Sequence, residues 1–132
     1  MSAAVDSSVL WAIFKGEPAG IAWVEKLVEL RGTGELLVCE VVWAETRPAF
    51  ATDRQHAEVM GKLGLKFSPL DAGAAALAGE LFARYRRAGG MRQRILPDFL
   101  IGAHALALGV PIASGDEGFF RKYFHGLPVI KP

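Results

Sequence analysis

The sequence predicts an α/β sandwich built on a mostly parallel sheet. Short apolar runs, such as Ala3-Ala4-Val5, Leu36-Leu37-Val38-Cys39 and Val110-Pro111-Ile112-Ala113, alternate with longer segments whose apolar residues recur at helical spacing. Glycine and proline punctuate the boundaries, at Gly16-Glu17-Pro18, Gly32, Gly34, Gly64, Gly89-Gly90 and Gly109. No apolar run reaches the ~18 residues that would suggest a membrane span. The 52% of residues that are hydrophobic are therefore assigned to a core, and 132 residues suit a single domain over 1–132.

Each element has its own signal. Ala3-Ala4-Val5 reads as a buried strand ending at Asp6-Ser7-Ser8, and Val9 to Phe14 starts a helix. A second helix covers Ala19 to Leu30, with Trp23, Leu27 and Leu30 on one stripe that Ile21, Val24 and Val28 widen. Leu36 to Cys39 is the next strand. Val41 to Phe50 is helical, with its register disturbed by Pro48. Thr52-Asp53 caps a helix whose apolar side is His56, Val59, Met60 and Leu63. Leu65 to Ser68 is a weak strand. Asp71 caps an alanine-rich helix through Arg87, in which Leu77, Leu81 and Tyr85 are spaced by four. Phe99 to Leu108 is a strongly apolar helix stopped by Gly109; Val110 to Ala113 is a strand, and Leu127 to Ile130 a last edge strand.

Charge and cysteine usage narrow the class. A net charge of +1 argues against a histone-like nucleic-acid binder but not against a nuclease, because metal ions can supply the positive charge that meets phosphate. Cys39 is the lone cysteine, which excludes a disulfide scaffold and a multi-cysteine zinc site and fits a reducing cytosol. No basic region precedes the first apolar stretch, so no signal peptide is expected and the predicted location is cytoplasmic. His56, His104 and His125 have no zinc-motif spacing, and there is no phosphate-binding glycine loop, dinucleotide fingerprint or nucleophile elbow. His104, on the apolar helix, reads as a packed histidine rather than a ligand.

Four acids stand where apolar segments run out: Asp6, Glu45, Asp98 and Asp116. Carboxylates beside a core are costly unless paired or bound to a cation. In open α/β sheets ligands gather at the carboxyl ends of strands, and Asp6 and Asp116 each follow a strand. Each acid also has a local reading. Asp6 and Asp98 could cap helices, Asp116 could serve a turn, and Glu45 alone is an ordinary helix glutamate. Converged, they would make an all-oxygen site for Mg²⁺ or Mn²⁺, suited to phosphate chemistry. Ser7 and Ser8 read as local caps or as hydrogen-bond partners of a neighbouring carboxylate. Arg92 and Arg94, shortly before Asp98, are candidates for holding a substrate phosphate or simply a solvated loop.

In order and spacing, the segments AAVDSSVLWAIF, VVWAETRPAF, LPDFLIGAHAL and Ser114-Gly115-Asp116 resemble the PIN-domain ribonucleases, especially small bacterial VapC-like toxins. The resemblance spans nearly the whole chain. It implies a three-layer α/β/α fold and Mg²⁺- or Mn²⁺-dependent endoribonuclease activity. It also implies a cognate antitoxin that inhibits the toxin and commonly a homodimer; the short apolar runs already point to no membrane partner. By this resemblance Asp6, Glu45, Asp98 and Asp116 are the metal ligands and catalytic acids, and Ser114 is a hydroxyl supporting the site. Two positions depart from the pattern. Gly118 stands where another Asp is common, and Glu40 where a small hydroxyl residue is common, so the roles of Glu40 and Glu117 and the number of ions stay open. The alternatives are a phosphotransfer or phosphatase domain with an aspartyl nucleophile, although Asp6-Ser7-Ser8 is not Asp-x-Asp, and a non-catalytic protein-binding module.

Overall fold

In the computed structural model, which describes residues 1–90 and 95–132, five parallel strands form one sheet. They are β1 (Ala3–Val5), β2 (Leu36–Val38), β3 (Leu65–Phe67), β4 (Ile112–Ala113) and β5 (Val129–Ile130). The helices are α1 (Ser7–Phe14), α2 (Pro18–Arg31), α3 (Glu40–Thr46), α4 (Asp53–Lys62), α5 (Ala72–Arg87), α6 (Leu96–Leu108) and α7 (Glu117–Tyr123), with a 3₁₀ turn at Arg47–Ala49. Strand order is β3-β2-β1-β4-β5. The chain thus runs outward from β1 to β3, crosses back, and runs outward again through β4 to β5. Right-handed crossovers put α1 to α4 on one face and α5 to α7 on the other, which is the three-layer α/β/α arrangement. β1 and β4 are neighbours on either side of the point where strand order reverses, with Ala4 opposite Ile112 and Val5 opposite Ala113.

Most elements follow the sequence signals, and the exceptions have local causes. The helix through Glu45 ends at Thr46 and tightens into the 3₁₀ turn, because Pro48 has no N–H to continue an α-helical ladder. Thr52 and Asp71 cap as expected: Thr52 Oγ1 accepts from Gln55 N–H at 3.1 Å, and Asp71 Oδ1 from Ala74 N–H at 2.7 Å. The stripe of α2 is narrower than expected. Trp23, Leu27 and Leu30 are buried, but Ile21 is 74% and Val28 60% exposed. At about 100° per residue both lie nearly opposite Trp23. The strongly apolar helix begins at Leu96 rather than Phe99, so Asp98 sits inside its first turn and not at the cap. α7 is an element that the pattern of Gly115 and Gly118 conceals.

The core lies on both faces of β1, β2 and β4, whose residues are almost wholly buried. On the α5 to α7 face the small side chains Ala74 and Ala78 are buried where α5 packs on α6. Phe99, fully buried, is the hub of an aromatic cluster with ring centroids at 5.1 Å to Phe119, 5.5 Å to Tyr123, 5.8 Å to Tyr85 and 6.0 Å to both Phe82 and Phe124. Gly102, one turn after Phe99, is what allows Phe124 to approach. A Cβ there would stand 2.4 Å from the Phe124 ring. Gly102→Ala should therefore cost about 1–3 kcal/mol through overpacking. Gly79→Ala, in α5 with nothing within 4 Å of the added carbon, should gain about 0.5–1 kcal/mol. Urea unfolding of the two variants checks both signs.

Candidate active site

The site grows out of the strand ends at the reversal point. Asp6 is the first residue after β1, and its N–H continues the ladder by donating to Ala113 O at 2.9 Å. It occupies the N-cap position of α1, yet its carboxylate makes no capping bond. Instead Asp6 Oδ2 accepts two hydroxyls, Ser114 Oγ at 2.7 Å and Ser8 Oγ at 2.8 Å. Each serine also accepts a backbone N–H from the loop after β4: Ser8 Oγ from Gly115 at 3.0 Å and Ser114 Oγ from Asp116 at 2.9 Å. Asp116 in turn caps α7, its Oδ1 accepting from Phe119 N–H at 3.4 Å. One small network therefore ties the end of β1, the start of α1, the end of β4 and the start of α7.

The other two acids come from helices. Glu45 lies on α3, with Ser7 beside it and Asp6 near enough to act on its charge. Its Oε1 is buried and, among the described residues, is a side-chain acceptor without a hydrogen-bond partner. Asp98 is half-buried in the first turn of α6, where a negative charge suits the helix dipole. Its level follows from its neighbours. His104, further along α6, meets Ser68 just after β3, with Nε2 and Oγ 3.1 Å apart, so Asp98 lies on the carboxyl side of the sheet. α3 and α6 also touch one another.

Burial governs the electrostatics. Desolvation pushes the Asp6 carboxyl above its ordinary value, the Ser114 and Ser8 hydroxyls pull it back, and the Asp116 charge adds to the rise. Desolvation likewise raises Glu45, against the Ser7 hydroxyl and with the charge of Asp6. These acids repel one another, which is the situation a cation relieves. Among the described residues, however, no three His, Cys, Asp or Glu side chains converge closely enough to hold a metal ion. The donor chemistry still fits a hard divalent cation. The candidate donors are all oxygens, Glu45 Oε1 is an orphaned acceptor, and Mg²⁺ commonly takes only one or two carboxylates and keeps several waters.

The PIN domain family model matches residues 3–125. The chain belongs to the PIN-domain family. Its fold is similar to that of VapBC2 from Rickettsia felis bound to a DNA fragment from their promoter, with TM-score 0.74, 18% identity, and 99% of this chain and 98% of that chain covered. VapBC-1 from nontypeable Haemophilus influenzae gives the same four figures: 0.74, 18%, 99% and 98%. VapBC-5 from Mycobacterium tuberculosis gives TM-score 0.58 at 21% identity over 98% of this chain and 96% of that chain. No curated protein matches the sequence. PIN membership displaces the phosphotransfer alternative.

Within this PIN fold the remaining sequence candidates sort by their contacts. Ser114 and Ser8 both bind Asp6, whereas Ser7 acts on Glu45. The Asp-x-Ser spacing was the available signal, since a serine two residues on can turn back to the carboxylate. Glu40 is exposed and binds the Leu70 N–H at 2.9 Å, fastening the loop before α5. Glu117 pairs with Arg121 at 2.8 Å and with Lys131, away from Asp6. His56 is buried against Thr46 Oγ1 at 3.0 Å, and His104 is also buried. Arg92 and Arg94 lie outside the described residues. No helix of the described residues is long and apolar enough to cross a membrane.

Two measurements probe this network. Ser114→Ala strips one hydroxyl from Asp6 and leaves the Asp116 N–H without its acceptor, so it should cost about 1–3 kcal/mol in urea unfolding. For Glu45 the sign follows from its raised folded pKa. Its contribution is full below the unfolded value and is lost as pH rises through the folded one. Metal-free Glu45→Gln should therefore melt above wild type at neutral pH, and the difference should vanish once both acids of the pair are protonated. A variant that melts lower at neutral pH and equally at acid pH would reverse the assignment.

Proposed function

We propose that this chain is a metal-dependent endoribonuclease, acting through residues 1–132 as one nuclease domain, and the toxin of a toxin–antitoxin pair. The observation that carries the reading is the buried, hydroxyl-clasped Asp6 at the β1–β4 reversal point, with the charge of Asp116 acting on it and its own charge acting on Glu45. PIN membership supports the nuclease class. The toxin role is supported by similar folds described as a toxin–antitoxin complex from Klebsiella pneumoniae and as a member of the VapBC family of toxin–antitoxin systems.

Asp6, Glu45, Asp98 and Asp116 would hold Mg²⁺ or Mn²⁺. Such an ion, when bound, lowers the pKa of a water and meets the charge that develops on a phosphate under attack. The chain's own part is to keep the carboxylates in place and ionised. Ser8 and Ser114 fix the Asp6 rotamer and favour its charged form. The Ser7 hydroxyl favours the charged form of Glu45, and the α6 N-terminus favours the charge on Asp98. RNA is the substrate and the cognate antitoxin the inhibitory partner. An antitoxin Arg or Lys placed among these acids would block them through charge-assisted hydrogen bonds.

Purified protein should cut RNA with Mg²⁺ or Mn²⁺ and stop in EDTA. Asp6→Asn and Asp98→Asn should each lose at least ~100-fold in rate with the fold intact. Mn²⁺ should raise the melting temperature of wild type, and of Asp6→Asn much less. RNA cleavage that persists in EDTA, or a fully active Asp98→Asn protein, would sink the reading.

A further inference from the structure

α5 and α7 meet at an aromatic corner that the acids do not use. Two adjoining hollows, about 320 and 270 Å³, share walls from Tyr85, Ala88, Lys122 and Tyr123. The tyrosine rings stand at right angles, with centroids 5.5 Å apart and an interplanar angle of 88°. Both are half-buried, and each is braced from behind by Phe99. Gly90 belongs to the first hollow for a steric reason. A Cβ there would fall 2.3 Å from the Tyr85 ring, so only glycine lets the loop lie against it.

The corner is basic as well as aromatic. The Lys122 ammonium lies 5.3 Å from the Tyr123 ring centroid, and Arg84 and His125 line the second hollow. Arg86 and Arg87 are exposed in the same last turn of α5. Among the described residues Lys122, Arg86 and Arg87 form no ion pair, while Arg84 is bound to Glu80 at 2.6 Å. Among the described residues neither hollow has an acid in its walls. Flat rings with unneutralised cations around them are what single-stranded nucleic acid uses: a base stacks on the ring and its phosphates meet the cations.

Position links this corner to the proposed chemistry. Phe99, which braces both tyrosines, follows Asp98 in the chain. Asp116 caps the helix that carries Tyr123 near its far end, about 10 Å along its axis. We propose that Tyr85, Tyr123 and Lys122 form a base-stacking subsite that grips the RNA strand a short distance from the bond being cut. This rests on the ribonuclease reading above.

The test separates the two. Binding of a short fluorescent oligouridylate is followed by anisotropy in EDTA, where no cutting intervenes, and cleavage of the same RNA is followed with Mn²⁺. Tyr123→Leu should weaken binding about 5- to 150-fold, the range for loss of one stacked base, while Tyr123→Phe retains it. Lys122→Glu, a surface change that spares the fold, should weaken binding several-fold and flatten its salt dependence. RNA carrying 4-thiouridine should photocrosslink to Tyr85 or Tyr123. If Tyr123→Leu and Lys122→Glu both bind and cut as wild type does, the subsite is wrong and the ribonuclease reading stands. If wild type binds through these residues yet never cuts, the ribonuclease reading falls and the subsite stands. If wild type does neither, both fall. If the variants change the sedimenting mass and not the affinity, the corner is a contact between copies and the proposal is overturned.

Discussion

Two hydroxyls on one carboxylate oxygen hold the reversal point of the sheet together. β4 is only two residues long, and the β1–β4 pairing has correspondingly little ladder to rely on. Past its last pair the chains would diverge, β1 into α1 and β4 into the loop before α7. Asp6 prevents this. Its N–H extends the ladder to Ala113 O, and its Oδ2 gathers Ser8 from one departing chain and Ser114 from the other. Both serines pass the constraint on to the Gly115 and Asp116 N–H groups. A buried carboxylate is costly without such partners. Here the groups that offset its burial are the same groups that position Asp116, so stability and site geometry rest on one network.

The aromatic cluster supplies the corresponding constraint from the other layer. Phe99 is fixed on all sides by rings from α5 and α7, which anchors the first turn of α6 and with it Asp98. Small residues make the fit possible. Ala74 and Ala78 let α5 approach, and Gly102 admits Phe124. A core of this kind is a packed solid rather than a pool of apolar side chains, so a shift at Phe124 is carried to the helix that bears an acid.

The fold was legible because its signals are local and repeated. Leu77, Leu81 and Tyr85 mark a helix by spacing, Thr52 and Asp71 act as caps where side-chain chemistry says they should, and Gly109 stops α6 in the left-handed conformation that glycine tolerates. What stayed hidden depends on tertiary partners. α7 has seven residues and two glycines in or beside it, and its helix is held by Asp116 and by rings far away in sequence. Ser7 and Ser8 are indistinguishable in sequence. One faces Glu45 and the other Asp6 only because α1 turns them apart. The sequence leaves the roles of Glu40 and Glu117 open, because only their partners distinguish them: the Leu70 N–H for one and Arg121 with Lys131 for the other. The proposed ligand set could be drawn from the sequence only through family resemblance, since each acid taken singly has an ordinary explanation.

The sorting of acids also bears on how such a protein meets a polyanion. A net charge of +1 provides almost no long-range attraction for nucleic acid. On the proposed reading, binding comes from short-range features: a cation drawn to desolvated carboxylates, and basic side chains that form no ion pair among the described residues. The structure segregates these. Glu117 is taken up by Arg121 and Lys131, and Glu80 by Arg84, while Lys122, Arg86 and Arg87 form no ion pair among the described residues; Lys122 lies over the Tyr123 ring and Arg86 over that of Phe82. Exposed ion pairs contribute little to stability, so the pairing pattern has small energetic weight in the fold. Its larger effect is to decide where positive charge remains available. A chain nearly neutral overall in this way presents negative charge at the strand ends and positive charge at an aromatic corner, which is the separation that the proposed grip on a phosphate backbone requires.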